Sequence, residues 1–457
     1  MAIKPLQAAD PEQRHGTAPV SSRNAPADAL GSPARVPLTA CQRELWLSAR
    51  MALTDYAETS IRGCFYVGAL PDARRLREAV RQALHWTPLP AAVLREDGDE
   101  PCFAPGEGAD PDFRVLDASR APDPAEEADR LIDAFFEEPV ENPLIRYALV
   151  RTGADQSVFA FKCSHLVLDG LGFFFHMSTI ADSYSALTRG QALDLGEPAP
   201  CDAAWREEQA HFASPRFARD MAFWEQHLAA LPEKRILPPL PGKPDVLGAS
   251  RHKKFLLSAA ASRAATALMA AHKVSPAVLF TALYALAVSF MGGEEQVVVL
   301  GPTAFGERKT LHRRQGALMA LPPLLLDVGG KNGFAGLLAA VAAQNATFYR
   351  HVRTPYQLAA RRLEGKNFSF LADAFVNFLP NTPPGTPEFP ILAAEQRHSP
   401  KEPVLLGMLV MREPRSELYS LTVRSSRNHL TEQDVERFVA RLESLLCQLA
   451  AGRICRI

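Results

Sequence analysis

The sequence predicts an α+β protein built as two lobes. Three observations carry that expectation. At 457 residues the chain is longer than one ordinary hydrophobic core organises. Helical and strand periodicities interleave without the strict alternation of a doubly wound sheet. A proline-rich connector between Gly190 and Gly248 separates two such mixtures. The expected organisation is a disordered leader over 1–36, a first lobe over 37–195, and a connector with a second lobe over 196–457.

The leader is rich in Ala, Pro, Ser and Gly and has too little apolar surface to offset its ordering entropy. Thr39 then caps a helix that turns Leu45 and Trp46 inward. A strand is predicted over Arg62–Val67, and an amphipathic helix over Pro71–Trp86 with Leu76, Ala79, Val80 and Leu84 on one face. Short strands at Ala92–Leu94 and Phe113–Leu116 precede a helix over Pro124–Glu137. Ile145–Arg151 and Ser157–Cys163 form a predicted hairpin, followed by a helix from about Leu171 to Thr188. The connector contains one clear helix, Arg216–Leu231. The second half reads as a strand at Lys254–Leu257, helices at Ala259–Ala271 and Pro276–Phe290, and strands at Gln296–Leu300 and Ala320–Val328. A helix over Phe334–Arg350, a strand at Ala374–Leu379, the pair Val404–Met411 and Leu418–Ser425, and a helix over Thr431–Ala450 complete it.

Composition narrows the function classes. A formal net charge of -1 provides no global field for nucleic acid or an anionic membrane, so neither is expected as a partner. The most apolar window, Val274–Met291, is short and interrupted by Pro276 and Ser289, which reads as a buried helix. No apolar signal segment opens the chain, and a cytoplasmic location is expected. Seven cysteines lie scattered without Cys-x-x-Cys pairs or zinc-ligand spacing, so neither a disulfide framework nor a metal site is predicted. Neither a phosphate-binding Gly-x-x-x-x-Gly-Lys-Ser/Thr loop nor a Gly-x-Ser-x-Gly elbow occurs.

The informative stretch is Ser157 to Thr188. A hydrophobic strand ends at Cys163, Ser164-His165-Leu166-Val167-Leu168-Asp169-Gly170 follows, and a long apolar helix begins. A histidine between two rigid elements is placed as general bases are, since geometry comes before pKa. Taken in isolation, His165 reads more readily as a structural histidine than as a base, and Asp169 as a helix cap.

The wider pattern resembles the condensation domains of non-ribosomal peptide synthesis, members of the chloramphenicol-acetyltransferase-like superfamily. The segment at His165 is similar to their His-His-x-x-x-Asp-Gly signature, and Leu38-Thr39 through Trp46 to their opening Leu-Thr-x-x-Gln-x-x-Leu-Trp. His85 to Leu89, Asp220 to Leu228, Gly301 to Arg308, Gln315 to Pro322 and His351 to Leu358 resemble further blocks in the family's order.

The resemblance implies two chloramphenicol-acetyltransferase-like lobes in a V with a substrate tunnel between them. It implies transfer of an acyl group, peptidyl or polyketide, from a carrier-protein thioester to an amine or alcohol, with release of the chain as one outcome. His165 would be the catalytic base and Gly170 would offer a backbone amide to the reacting carbonyl. Ser164, Asp169 and Arg308 would be structural at the site, with Asp169 paired to Arg308. No cofactor of its own is implied: a carrier protein would supply the phosphopantetheine arm in trans, and the acceptor would be a free small molecule or carrier-bound. With the last helix predicted to reach Ala450 and the chain ending at Ile457, a stand-alone enzyme is expected.

Two departures stand out. Ser164 replaces the first signature histidine, and Ala320 replaces the Asn of a Gly-x-x-x-Asn block. They keep two alternatives open: a non-catalytic module that recruits carrier proteins, and an acyltransferase that uses acyl-coenzyme A.

Overall fold

The computed structural model describes residues 35–453 except 52–59, 88, 97–99, 105–109, 139, 141, 195–199, 234–235, 248, 302, 305–315, 317–318, 330–332, 367–372, 380–384, 398–403 and 414–415. Residues 1–34 of the expected leader therefore lie outside the described residues, whereas Val36 already belongs to a strand. The first half runs β1 (Val36–Pro37), α1 (Ala40–Met51), β2 (Ser60–Val67), α2 (Ala73–Trp86), β3 (Val93–Arg95), β4 (Cys102–Ala104), β5 (Phe113–Asp117), α3 (Pro124–Glu137), β6 (Ile145–Arg151), β7 (Ser157–Ser164) and α4 (Gly170–Thr188). Two connector helices follow, α5 (Ala203–Phe212) and α6 (Pro215–Ala229). The second half begins with β8 (Ser250–Leu256), α7 (Ala259–His272), α8 (Pro276–Gly292), β9 (Gln296–Leu300), β10 (Thr303–Ala304), β11 (Met319–Ala320) and β12 (Pro323–Asp327). It ends with α9 (Gly333–His351), α10 (Tyr356–Ala360), β13 (Ala374–Phe378), β14 (Gly385–Thr386), β15 (Phe389–Arg397), β16 (Leu406–Arg412), β17 (Tyr419–Ser426) and α11 (Glu432–Ala450).

Two six-stranded mixed sheets organise the chain, one ordered β14-β15-β2-β7-β6-β5 and the other β12-β9-β13-β16-β17-β8. In the first sheet β7 is buried along its whole length because helices cover both faces. Phe159, Phe161 and Cys163 point into the core shared with α2 and α4, while Val158 and Ala160 face α3. Lys162 falls on the α3 side, and its ammonium donates to the carbonyls of Phe136 and Glu138 at the helix end. A cation there complements the helix dipole and fills carbonyls left without helical partners. The second sheet packs on α8, whose residues Val278 to Val288 are all buried, and on α11. Helix starts follow their side chains: Asp72, Asp123, Ser258 and Ser275 each accept from first-turn amides, and Thr431 with Asp434 forms a capping box.

Two features differ from the pattern read in the sequence. Phe389–Arg397, placed by the 196–457 boundary in the second lobe, pairs antiparallel with β2 and completes the first sheet. It covers the edge that β2 would otherwise leave open. Helix α5 was not expected, since its only buried residue is His211 and it has no apolar stripe for periodicity to detect.

Among the described residues no single helix is long and apolar enough to cross a membrane. No group of three or more His, Cys, Asp or Glu among them is disposed to hold a metal ion, and Cys41, Cys64, Cys102, Cys163, Cys201 and Cys447 are free thiols.

Candidate active site

The segment singled out in the sequence forms a tight turn between β7 and α4. Ser164 ends the strand: its amide donates to Leu144 O at 2.8 Å, and its carbonyl accepts from the Val167 amide at 3.2 Å. Its buried Oγ accepts from the Leu166 amide at 3.3 Å. The hydroxyl thus shapes the turn from within, a role a serine fills with one short acceptor. His165 is half-buried, while Ser164 and residues 166–169 on either side of it are buried. Of the turn's side chains from 164 to 169, His165 alone is not fully buried, although its Nδ1 is.

Asp169 is the N-cap of α4, accepting from the amides of Leu171 at 3.1 Å and Gly172 at 2.8 Å. Gly170 is the first residue of that helix, whose first-turn amides have no partners within the helix. A Cβ at Gly170 would lie 3.1 Å from Leu379 Cδ2, so glycine allows close approach of the segment that follows β13. Arg308, the expected partner of Asp169, lies outside the described residues.

Two further segments hold the turn from the outside. Gln42 Nε2 donates to Leu166 O at 2.7 Å, and the Gly316 amide donates to Val167 O at 3.0 Å, with Leu168 bridged to Gly316. Gly316 has φ +98°, and a Cβ there would lie 2.8 Å from Gln42 Nε2, so no other residue fits both the backbone and the space. The opening block and the Gly316 block, distant in sequence, meet on the two residues after His165.

Neighbouring titratable groups are tuned by burial. Glu208 on α5 receives the Ala40 amide at 3.0 Å on each oxygen, and burial pushes its carboxyl up to about 7. Burial, reinforced by Glu208 and then Asp169, pushes the Cys41 thiol up to about 12, which leaves it protonated and no nucleophile. His176 is a different kind of histidine from His165. It is buried between Thr87 Oγ1 at 3.1 Å and Tyr147 OH at 2.6 Å, and burial pushes it down to about 4.

The block around Asp220 is structural. Asp220 and Trp224 both grip His351 at the end of α9, through Asp220 Oδ1 at 2.7 Å and a Trp224 Nε1 donation to the His351 carbonyl at 3.1 Å. Ala320 pairs with Thr303 in the β10–β11 hairpin.

Beside the first turn of α4 lies a small cavity of about 20 Å³ lined by Ile61, Gly63, Phe65, Phe173, Leu379 and Ala394, among others. Ile61, Gly63 and Phe65 alternate onto the α4 side of β2, and Ala394 faces Phe65 across the ladder. Leu379 belongs both to this wall and to the contact with Gly170.

A family model for the condensation domain matches residues 34–401. Among curated proteins, the dimodular nonribosomal peptide synthase of Bacillus subtilis is 25% identical over 363 residues, 75% of this chain and 14% of that protein. The isonitrile lipopeptide synthase of Mycobacterium tuberculosis is 25% identical over 369 residues, 74% of this chain and 14% of that protein. The chain thus spans a small part of these relatives. Among solved structures, the first condensation domain of the calcium-dependent antibiotic synthetase, in complex with a substrate analogue, aligns with TM-score 0.80 at 22% identity, covering 93% of this chain and 98% of that one. The starter condensation domain of rhizomide synthetase in complex with C8-CoA and Leu-SNAC aligns with TM-score 0.75 at 21% identity, covering 93% and 96%. These likenesses establish the two-lobed fold.

Proposed function

Because this chain belongs to the condensation-domain family, we propose that it transfers an acyl group from the phosphopantetheine thioester of a separate carrier protein to an amine or alcohol. The observation that carries this reading is the presentation of His165: a half-buried imidazole on a turn braced by both halves of the chain. The acceptor N–H or O–H loses its proton to His165 as its lone pair attacks the thioester carbonyl. The tetrahedral oxyanion is stabilised by the Gly170 amide at the positive end of α4. Collapse of that intermediate breaks the C–S bond, and the departing pantetheine sulfur takes up the proton. The products are an amide or ester and a free pantetheine thiol. Asp169 serves as the cap that sets α4 and Gly170, and Ser164 serves as the hinge of the turn. The serine found where the family signature has its first histidine is accommodated by a backbone contact that needs only one oxygen.

A second reading, with acyl-coenzyme A as donor, is favoured by the C8-CoA complex of the rhizomide synthetase domain. One experiment separates the readings. Octanoyl groups are presented on a phosphopantetheinylated carrier protein and, in parallel, as octanoyl-CoA, with amine and alcohol acceptors, and products are followed by mass spectrometry. Turnover from the carrier and not from CoA supports the first reading, and the reverse supports the second. Carrier binding with no product from either donor, across a panel of acceptors, overturns both in favour of a recruitment module.

A further inference from the structure

The first helix carries more than its own start. Thr39 and Gln42 form a capping box: the Gln42 amide donates to Thr39 Oγ1 at 3.3 Å, and Gln42 Oε1 accepts from the Thr39 amide at 2.8 Å and its hydroxyl at 3.1 Å. A glutamate would serve that box as well as a glutamine. What only glutamine has is a side-chain NH2, and its nitrogen reaches 124 residues along the chain to donate to Leu166 O at 2.7 Å. Because Oε1 already faces donors, the amide cannot flip without losing every bond it makes. Gln42 is 3% exposed, so no water can take over the task.

We propose that Gln42 is a positioning residue for His165, holding the carbonyl of the adjacent residue so that the imidazole stays at its working angle. The inference rests on the proposed role of His165, but its structural half stands independently of turnover. The Gly316 amide fixes the next carbonyl, Val167 O, from the second half of the chain, and Gly316 packs directly against the Gln42 amide. His165 is therefore followed by two consecutive carbonyls clamped from opposite directions. Of the two clamps, Gln42 is the one made by a side chain, and so the one a substitution can remove without altering the backbone. Glu208 secures the same helix end by accepting the Ala40 amide.

The box and the clamp can be dissociated. Gln42→Glu keeps an acceptor for Thr39 but has no N–H for Leu166 O, and turns a carboxylate oxygen on that carbonyl. Thr39→Ala breaks the box from the other side and leaves the Gln42 to Leu166 bond in place. The full chain is made with isotope-labelled histidine, and the His165 ring signals are assigned by their loss in His165→Ala. Gln42→Glu is expected to shift or broaden the His165 ring signals and, because it buries a carboxylate against a carbonyl, to lower the melting temperature as well. It is also expected to lower kcat about 10- to 100-fold with the donor KM within about twofold. Thr39→Ala is expected to lower the melting temperature and leave the His165 signals in place. The proposal is overturned if Gln42→Glu leaves those signals unchanged, or if Thr39→Ala moves them as far. Should wild type show no acyl transfer, the ring signals still decide the positioning role, so the two failures are distinguishable.

Discussion

Asp220 Oδ1 accepts a hydrogen bond from His351 Nδ1 at 2.7 Å, joining connector helix α6 to the end of α9. The carboxylate is 2% exposed and has His211 Nε2 at 3.4 Å and Arg216 Nε at 3.6 Å on its other oxygen. His211 in turn bonds Thr354 Oγ1 at 2.8 Å, so the Asp220 and His351–Leu358 blocks meet in one buried knot.

Removing the carboxylate leaves His351 Nδ1 without its acceptor and takes the buried charge away from His211 and Arg216. Asp220→Ala is expected to cost roughly 3 kcal/mol of folding stability, and Asp220→Asn less because one acceptor remains. Urea unfolding checks this. An Asp220→Ala midpoint within error of wild type would show that the knot contributes nothing.

For His165→Ala, transfer is expected to fall by about 100- to 10,000-fold with little change in melting temperature, since the ring is half-buried and the turn is held by other groups. The loss is expected to be larger for an alcohol acceptor than for an amine. A neutral amine attacks without prior deprotonation, whereas an alcohol needs the base. Equal rates for wild type and variant with an alcohol would remove His165 from the mechanism.

His176 predicts a pH dependence of stability. Its folded pKa of about 4 lies below the ordinary value of 6.5, so between these limits the unfolded chain binds the extra proton. The neutral, buried form is fully favourable above about pH 6.5, and its contribution declines as pH falls toward 4. The slope from this one group reaches at most about 1.4 kcal/mol per pH unit. Unfolding free energies measured from pH 4 to 8 should fall less steeply with acid in His176→Gln than in wild type. Parallel curves would show that His176 does not titrate as its burial requires.

The small cavity beside the first turn of α4 predicts a packing effect. Ala394→Phe overfills the space between β15 and α4 and is expected to cost about 1–3 kcal/mol of folding stability. Urea unfolding measures the loss. A midpoint equal to that of wild type would show that the space admits a ring without strain.

Much of the local structure was legible in the residues. Helix α3 spans Pro124–Glu137, as its Asp cap, Pro at the first position and apolar spacing predict. The β6–β7 hairpin and α4 were equally readable, and with them the location of His165 between a strand end and a capped helix. β15 was not. Its Ala393-Ala394 pair carries weak strand preference, and its partner β2 lies more than 300 residues earlier in the chain. The Leu-Thr-x-x-Gln block was visible, but its target was not. Nothing in a capping box reveals that its spare amide ends on Leu166.

Periodicity and capping report how a segment meets its immediate surroundings, and for this chain they determined most of the longer elements and the turn that bears His165. Which groups hold that turn was decided by tertiary structure alone. Gln42, Gly316 and Leu379 come from three distant stretches, and hydrogen bonds or packing between them form only when the sheets and connector have closed the intervening loops.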